Sequence, residues 1–293
     1  MGPPIPMPAT STDALVLVDK PAGVTSFDVV RQVGRALGTR RVGHAGTLDP
    51  FATGLLVVLS GVATRCIRFV PTEPKVYLAT IAFGSERDTD DLTGEVVREA
   101  EPPALEAVRA AIPQLTGALA QVPPAYSAKK IEGRRAYALA RSGTTVVLEP
   151  SQVVVHGWED LQWDGGQVVA RVTCGTGTYI RALARDLGRL TGSAAHLASL
   201  RRERCGPFDV SGATSWEAVL RGEVEPRDAR EALPGVPVVT LDEPEAIRAR
   251  HGASIARAEL ADAQVVVVNA PDASWLGLAR VENGVVFPTV VHA

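Results

Sequence analysis

The chain has 293 residues, of which 46% are hydrophobic and 22% charged, and its formal net charge is −3. This composition excludes a disordered chain and predicts a protein with one large domain or two smaller ones. The three cysteines lie far apart and form no Cys-x-x-Cys pair, which argues against a disulfide framework or a zinc site, and no apolar run reaches the roughly 18 residues of a membrane span, so a cytoplasmic protein is expected.

The first elements are predicted from short patterns. Residues 1–13 are rich in proline and small residues and predict a disordered lead-in without the features of a signal peptide. Residues 14–20 (ALVLVDK) predict a strand, and residues 26–38 predict a helix that Ser26 caps. Apolar residues recur at every fourth position of that helix: Val29, Val33 and Leu37.

The middle of the chain mixes strands with fewer helices. Helices are predicted at residues 103–117, 134–143 and 178–192, and the last of these carries an apolar stripe with arginines on its flank. Further strands are predicted at residues 54–61, 76–84, 151–158 and 166–174. Together they predict an α+β fold with a mixed, largely antiparallel sheet flanked by helices.

The sequence pattern changes near residue 235. Residues 14–235 are expected to form one domain, and residues 236–293 a small β-rich domain that contains one short helix. Basic residues cluster in several separated segments of the first domain, although the whole chain is slightly acidic. They allow a phosphate-binding face, but an ordinary mixed surface explains the same charges.

Asp49 lies in a glycine-rich segment, GHAGTLDPFATGLLVV (residues 43–58). The following proline predicts an extended or turn geometry at Asp49, on a loop. A structural Asx-turn or helix-capping aspartate would fit this local pattern, as would a functional carboxylate. Arg181, in the first turn of a predicted helix, is unfavourable for the helix dipole, and a carboxylate partner would suit it.

The acidic segment RDTDDLTG (residues 87–94) allows several interpretations. An EF-hand loop is disfavoured because Leu92 stands where a calcium ligand is needed. A charged turn is favoured over a metal site. Tyr77 lies in a predicted strand, where a tyrosine usually belongs to the core.

Seven segments occur in order over roughly residues 14–215: VDKPAGVTS, GHAGTLDPFATGLLVV, KVYLATIAFG, DTDDLTG, PPAYSAKKIEGRRAYALARSG, CGTGTYIRALARDLG and LRRERCGPFDV. Taken together they resemble the TruB family, the bacterial tRNA pseudouridine-55 synthases. The resemblance implies the pseudouridine synthase fold, a PUA-like RNA-binding domain at 236–293, and isomerisation of uridine 55 in the tRNA T-loop without metal or cofactor. It also implies an RNA-clamping, thumb-like insertion at about residues 122–150.

The same resemblance assigns roles to individual residues. Asp49 matches the catalytic nucleophile, Arg181 the arginine that pairs with it, and Tyr77 the active-site tyrosine. His44 matches the residue that inserts into the tRNA loop when the uridine is flipped out of its stack. The other residues expected to contact or support the RNA are Lys20, Lys130, Leu200, Arg134, Arg135 and Asp90.

Two alternatives to a stand-alone tRNA synthase remain open from the sequence. A guide-RNA-dependent synthase would share the catalytic motifs, but the basic segment at 126–143 favours an enzyme that binds the T-arm without guide RNA or protein partner, as a monomer. A non-catalytic RNA chaperone would need the basic segments and tolerate the loss of Asp49.

Overall fold

The computed structural model describes residues 12–126, 130–131, 134–135 and 148–292. Its strands form an 11-stranded sheet, a five-stranded sheet near the C-terminus and two small two-stranded sheets. None of the helices in these ranges has the length and apolarity needed to cross a membrane.

The strands of the larger part, in chain order, are β1 (Ala14–Lys20), β2 (Val42–Ala45), β3 (Thr53–Ser60), β4 (Lys75–Phe83), β5 (Ser85–Arg87), β6 (Val96–Glu99), β7 (Gly117–Gln121), β8 (Lys130–Ile131), β9 (Arg134–Arg135), β10 (Ser151–Trp163), β11 (Gln167–Cys174), β12 (Ala195–Cys205), β13 (Phe208–Asp209), β14 (Thr214–Ser215) and β15 (Arg227–Asp228). The strands of the C-terminal sheet are β16 (Val238–Thr240), β17 (Ile255–Ala256), β18 (Ala263–Asn269), β19 (Trp275–Glu282) and β20 (Val285–Val291).

The α-helices are α1 (Ser26–Ala36), α2 (Leu105–Ala111), α3 (Ile180–Leu190), α4 (Trp216–Leu220) and α5 (Glu243–Arg250). Short 3₁₀ segments follow at Gly61–Phe69, Ile112–Leu115, Val210–Gly212 and Ala229–Ala232.

The large sheet confirms the predicted fold class. Its main path runs β14-β1-β3-β12-β4-β11-β10-β7, and its described pairs are antiparallel except β1 with β14 and β3 with β12. Helix α1 packs its valines on β1 and β3, and α3 packs Ile180, Leu183 and Leu187 in the core around β4 and β12. The predicted strands at 14–20, 54–61, 76–84, 151–158 and 166–174 are all present.

The cap of α1 differs from the prediction. Thr25, not Ser26, is the N-cap: its hydroxyl accepts a hydrogen bond from the backbone of Asp28, and the Asp28 carboxylate accepts one from the Thr25 backbone. Ser26 is the first helical residue, and its hydroxyl is engaged by Leu48. The local pattern could not distinguish two adjacent hydroxyl residues, because a contact 22 residues away determines their roles.

The helix predicted at 103–117 is shorter than expected. Its α-helical part is Leu105–Ala111, and Ile112–Leu115 continues as a 3₁₀ turn. Pro113 explains the change because proline has no backbone N–H to donate to the preceding turn.

Two other predictions are corrected at their ends. The helix predicted at 134–143 is wrong for its first residues, since β9 pairs antiparallel with β8; residues 136–143 lie outside the described ranges. The disordered lead-in predicted at 1–13 is wrong at its end, because Asp13 is buried and accepts a 2.6 Å hydrogen bond from the Val62 N–H. Residues 1–11 lie outside the described ranges.

The C-terminal sheet has its own core but also shares one with the large sheet. Residues such as Leu241, Ala249 and Ile255 pack within it. The opposite face of the sheet contributes residues to a second cluster, in which Leu278 and its neighbours pack with apolar residues of β1 and β3. Folding of the two parts should therefore be coupled.

We predict that Leu278→Ala lowers the free energy of unfolding by about 2–5 kcal/mol, since it leaves a cavity in this shared cluster. Urea unfolding followed by circular dichroism and tryptophan fluorescence should show one shifted transition with both probes. Ile247→Ala, at an exposed position of α5, is the control and should shift stability by less than about 0.5 kcal/mol. Two separate transitions, of which only one moves, would contradict a shared core.

Candidate active site

Asp49 lies in the loop between β2 and β3, and hydrogen bonds hold the backbone on both sides of it. The Ser26 hydroxyl accepts from the Leu48 N–H at 3.0 Å and donates to the Leu48 carbonyl at 3.1 Å. The Pro50 carbonyl accepts from the Gly23 N–H at 2.8 Å. These contacts fix the loop against the start of α1, so that the position of Asp49 is set by its neighbours.

Arg202, on β12, supports the same loop from inside the protein. Its fully buried guanidinium donates to the carbonyls of Leu55 at 2.8 Å and Gly46 at 3.0 Å. Gly54 has a positive φ, and a Cβ there would lie 2.3 Å from the Arg202 carbonyl oxygen, so a side chain would clash. Arg202 lies in the motif LRRERCGPFDV, but the sequence pattern does not distinguish it from Arg201 and Arg204.

The Asp49 carboxylate pairs with Arg181, which lies 132 residues further along the chain. Arg181 Nε lies 2.9 Å from Asp49 Oδ2, and Nη2 donates to Oδ1 at 3.3 Å. The Arg181 side chain is 5% exposed and that of Asp49 is 36% exposed. A ligand can therefore reach the carboxylate, while the guanidinium is held beneath it.

Arg181 has three further acceptors on the segments around it. It donates to the carbonyl of Thr89 at 2.9 Å and to that of Tyr126 at 3.0 Å, and its Nη1 lies 3.4 Å from Asp91 Oδ2. These contacts give acceptors to both Nη groups of the buried guanidinium and orient it toward Asp49, while Nε has ion-pair distance to Asp49 but no hydrogen bond. A role was predicted for Asp90 but not for Asp91, because the sequence pattern does not distinguish these adjacent carboxylates.

Asp90 does not face an open RNA-binding surface. Its carboxylate is buried and accepts a 2.8 Å hydrogen bond from Arg185. Burial raises the pKa of Asp90 to about 6, although Arg185 and Arg181 oppose that shift. The prediction that Asp90 contacts RNA is corrected accordingly: this side chain belongs to the interior behind Arg181.

Tyr77 and Leu200 belong to the apolar core on which the Asp49 loop packs. Both are buried in one cluster with Leu48 and Ala52, which lie in the loop before and after Asp49. Burial raises the pKa of Tyr77 to about 12, so its hydroxyl is protonated at neutral pH. The structure thus places both residues in the core that packs against the Asp49 loop, and their contacts with the base stay a prediction.

Lys20 supports the Asp49 loop and is not placed to bind RNA. Its side chain is buried, and Nζ donates to the carbonyls of Pro21 at 2.8 Å, Val24 at 2.7 Å and Pro50 at 3.2 Å. Burial lowers the pKa of Lys20 to about 8, against the attraction of Asp49. The carbonyl contacts fit the supporting role near the active site that the resemblance implies for Lys20, and they do not favour direct RNA binding, because all three N–H groups of the ammonium have acceptors in the protein.

His44 lies on β2, directly before the loop, with its side chain half-buried. Burial, followed by the nearby charge of Arg202, lowers the pKa of His44, which favours a neutral ring at neutral pH. A flat, uncharged imidazole at this position fits the predicted stacking role, which stays a prediction.

The basic residues expected to clamp RNA are described by their backbone alone. Lys130 lies in β8, and Arg134 and Arg135 form β9. Their side chains, and most of the predicted insertion at 122–150, lie outside the described part of the chain. The described residues contain no group of three or more metal-binding side chains.

Comparison with known proteins identifies close relatives. The family described as "TruB family pseudouridylate synthase (N terminal domain)" matches residues 34–180. A protein of Thermobifida fusca (strain YX) named tRNA pseudouridine synthase B is 46% identical, with 96% of this chain and 99% of the relative covered. One of the same name from Leifsonia xyli subsp. xyli (strain CTCB07) is 49% identical, with 67% and 68% covered.

A solved structure shares the fold at lower identity. A chain in the crystal structure of the archaeal box H/ACA sRNP Nop10-Cbf5 complex superposes with a TM-score of 0.66 at 22% identity. The match covers 96% of this chain and 86% of that one. It supports the predicted pseudouridine synthase fold of the large sheet and the β-rich C-terminal part.

We predict that Ser26→Ala loosens the Asp49 loop, because the Leu48 backbone loses both of its hydrogen bonds to the hydroxyl. Loss of roughly 1.4 kcal/mol of local stability corresponds to about ten-fold faster exchange of the Leu48 amide hydrogen. Thr25→Ala is the matched control: it should cost about 1 kcal/mol through the lost helix cap without a specific effect on Leu48. Equal exchange rates at Leu48 in both variants would contradict the assignment.

We also predict that the Lys20 ammonium group loses its proton near pH 8, below the ordinary pKa of 10.5. The chain contains four lysines, so a protein labelled with ¹³C at lysine Cε should give few, assignable resonances. The resonance that disappears in Lys20→Met should titrate near pH 8. A midpoint above pH 10 for that resonance would show that Lys20 is not desolvated.

Proposed function

This chain belongs to the TruB family of pseudouridylate synthases, and we propose that it isomerises uridine 55 in the T-loop of tRNA to pseudouridine. The observation that carries this proposal is the reachable Asp49 carboxylate held on the buried Arg181 guanidinium at 2.9 Å. Relatives that align with most of the chain carry the name tRNA pseudouridine synthase B. The reaction class thus agrees with the chemistry of the site.

Asp49 is the nucleophile in this proposal. Its attack on the target uridine forms a covalent bond and allows the C1′–N1 bond to break. The base then turns and forms a C1′–C5 bond, the bond to Asp49 breaks so that the carboxylate leaves, C5 loses its proton and N1 gains one. Substrate and product contain the same atoms, so the reaction needs no redox partner or group donor. Arg181 keeps the carboxylate ionised and oriented through their paired contacts.

The surrounding side chains receive and position the base. The ring of Tyr77 and the side chain of Leu200 supply an apolar surface on which a flipped uracil can lie. Because burial raises the pKa of Tyr77 to about 12, its hydroxyl acts as a hydrogen-bond donor at neutral pH. His44, at the end of β2, takes the place of the flipped base in the RNA loop.

The T-arm is bound by separate parts of the chain in this proposal. The segment at about 122–150, with Lys130, Arg134 and Arg135, clamps the arm through its phosphates, and a PUA-like domain at 236–293 adds a second RNA contact. Residues 14–235 form the catalytic domain. We propose that the protein works in the cytoplasm as a monomer, without guide RNA or a protein partner.

Asp49→Asn tests the nucleophile. Wild type should release tritium from tRNA labelled at carbon 5 of uridine, and the variant should release it below about a thousandth of that rate, because an amide is a poor nucleophile. Binding to tRNA, measured by filter retention, should persist.

Asp28→Asn, in the exposed cap of α1, serves as the control and should retain activity. Release by Asp49→Asn at the wild-type rate would exclude Asp49 as the nucleophile. Binding without release in both wild type and variant would favour a non-catalytic RNA chaperone.

A further inference from the structure

Two buried arginines on α3 contact the same pair of chain segments. Arg181 and Arg185 are one helical turn apart, and their side chains are 5% and 8% exposed. The first segment is the acidic turn at residues 89–91, and the second is the stretch at residues 122–126, where the insertion begins. Arg181 is already assigned to Asp49, whereas Arg185 has no role in the proposed reaction.

Arg185 ties both segments to the helix. Its Nη1 donates to Asp90 at 2.8 Å, and its Nη2 donates to the Val122 carbonyl at 2.8 Å. Its Nε donates to Asp186 at 2.9 Å. Each nitrogen of the guanidinium therefore has an acceptor within the protein, as expected for an arginine that fixes the surrounding chain rather than binding an external ligand.

The acidic turn transmits this anchoring to Arg181. Asp90 has a φ of +60° and its carbonyl accepts from the Leu197 N–H at 3.0 Å, while the Leu92 N–H donates to the Leu197 carbonyl at 3.0 Å, so the turn is tied to β12. Its two neighbours, Thr89 and Asp91, both contact Arg181. A shift of Asp90 would therefore move two of the groups that hold Arg181 on Asp49.

We propose that Arg185 and Asp90 are positioning residues for the isomerisation: their ion pair fixes the 89–91 turn and the start of the insertion in the places from which Arg181 is held against Asp49. This inference rests on the proposed function. It connects the RNA-clamping insertion to the nucleophile through the Val122 and Tyr126 carbonyls, which bind the two arginines.

The ion pair with Arg185 exists only while the Asp90 carboxylate is ionised, and the charges around Asp90 affect that ionisation. Arg185 and Arg181 attract its negative charge, while Asp186 and Glu86 repel it. Burial has the largest effect and raises the pKa of Asp90 to about 6. The pair is therefore ionised at neutral pH and is lost when Asp90 takes up a proton as the pH falls through about 6.

Asp90→Asn and Glu86→Gln form a matched test. Glu86 is similarly buried and pairs with Arg189, one turn further along α3, but contacts neither of the two segments. Both variants remove one buried carboxylate and should lose similar stability. Single-turnover tritium release at saturating tRNA is measured for folded protein well below its unfolding temperature, together with the Kd for tRNA.

Asp90→Asn should lower the single-turnover rate roughly ten- to a hundred-fold with Kd changed less than about two-fold, because misplacement by about 1 Å can cost a hundred-fold in rate. Glu86→Gln should keep the wild-type rate.

The ratio of the wild-type rate to the Asp90→Asn rate should fall between pH 7.5 and pH 5.5, because Asp90 of the wild type then takes up a proton and loses the charge that the variant lacks. Arg185→Lys keeps the positive charge but lacks the planar set of N–H groups with which the guanidinium binds Asp90 and Val122 together, so it should also lower the rate. This variant provides the test if Asp90→Asn fails to fold.

Three results would overturn the inference. The first is an unchanged rate in both Asp90→Asn and Arg185→Lys, and the second is an equal loss of rate in Glu86→Gln. The third is a weakened Kd with an unchanged rate, which would assign the pair to RNA binding. Release by wild type in the same assay reports on the proposed function separately.

Discussion

The ion pair between Asp49 and Arg181 is the contact on which the rest of the site depends. A guanidinium that is 5% exposed needs acceptors for its N–H groups, because a buried charge without partners is strongly destabilising. Two carboxylates and two carbonyls supply those acceptors, and one of the carboxylates remains open to a ligand. The same acceptors therefore have two effects: they compensate the buried charge of Arg181, and they orient its guanidinium toward Asp49.

The large sheet makes this contact possible by bringing distant segments together. The loop with Asp49 follows β2, the helix with Arg181 follows β11, and β12 returns between β3 and β4 to bring Arg202 under the loop. The loop is held by side chains that have no part in the chemistry, notably Ser26 and Lys20. A carboxylate on a fixed loop loses less conformational entropy when it is oriented for reaction than one on a mobile turn, so the fold lowers the entropic part of the barrier.

The C-terminal sheet is joined to the catalytic part by packing as well as by chain connection. A cluster that includes Leu278 contains apolar residues of both sheets, and the His292 ring contacts Asp13 at the opposite end of the chain. The C-terminal part, proposed to bind RNA, keeps a defined position relative to Asp49 when it is attached in this way. A fixed spacing of this kind would suit recognition of a folded RNA by its shape.

The sequence by itself determined the fold class, the principal strands and the residues of the central pair. Strands such as β1 are apolar along their whole length, and α3 carries a helical apolar stripe, so local pattern sufficed for them. The motifs around Asp49, Tyr77 and Arg181 were specific enough to indicate a family. Motifs of this kind can be recognised in the sequence because their residues are neighbours along the chain.

Only the tertiary structure decided which similar residues near those motifs face the site. Adjacent hydroxyl groups at Thr25 and Ser26, adjacent carboxylates at Asp90 and Asp91, and successive arginines on β12 look alike in sequence, yet one member of each set supports the loop or Arg181. The burial of Lys20 was likewise invisible, because its three carbonyl acceptors lie in a loop and a turn that meet in space. The physical reason is common to all four cases: burial and partner choice depend on contacts between segments far apart in the chain, whereas the sequence pattern reports neighbours along it.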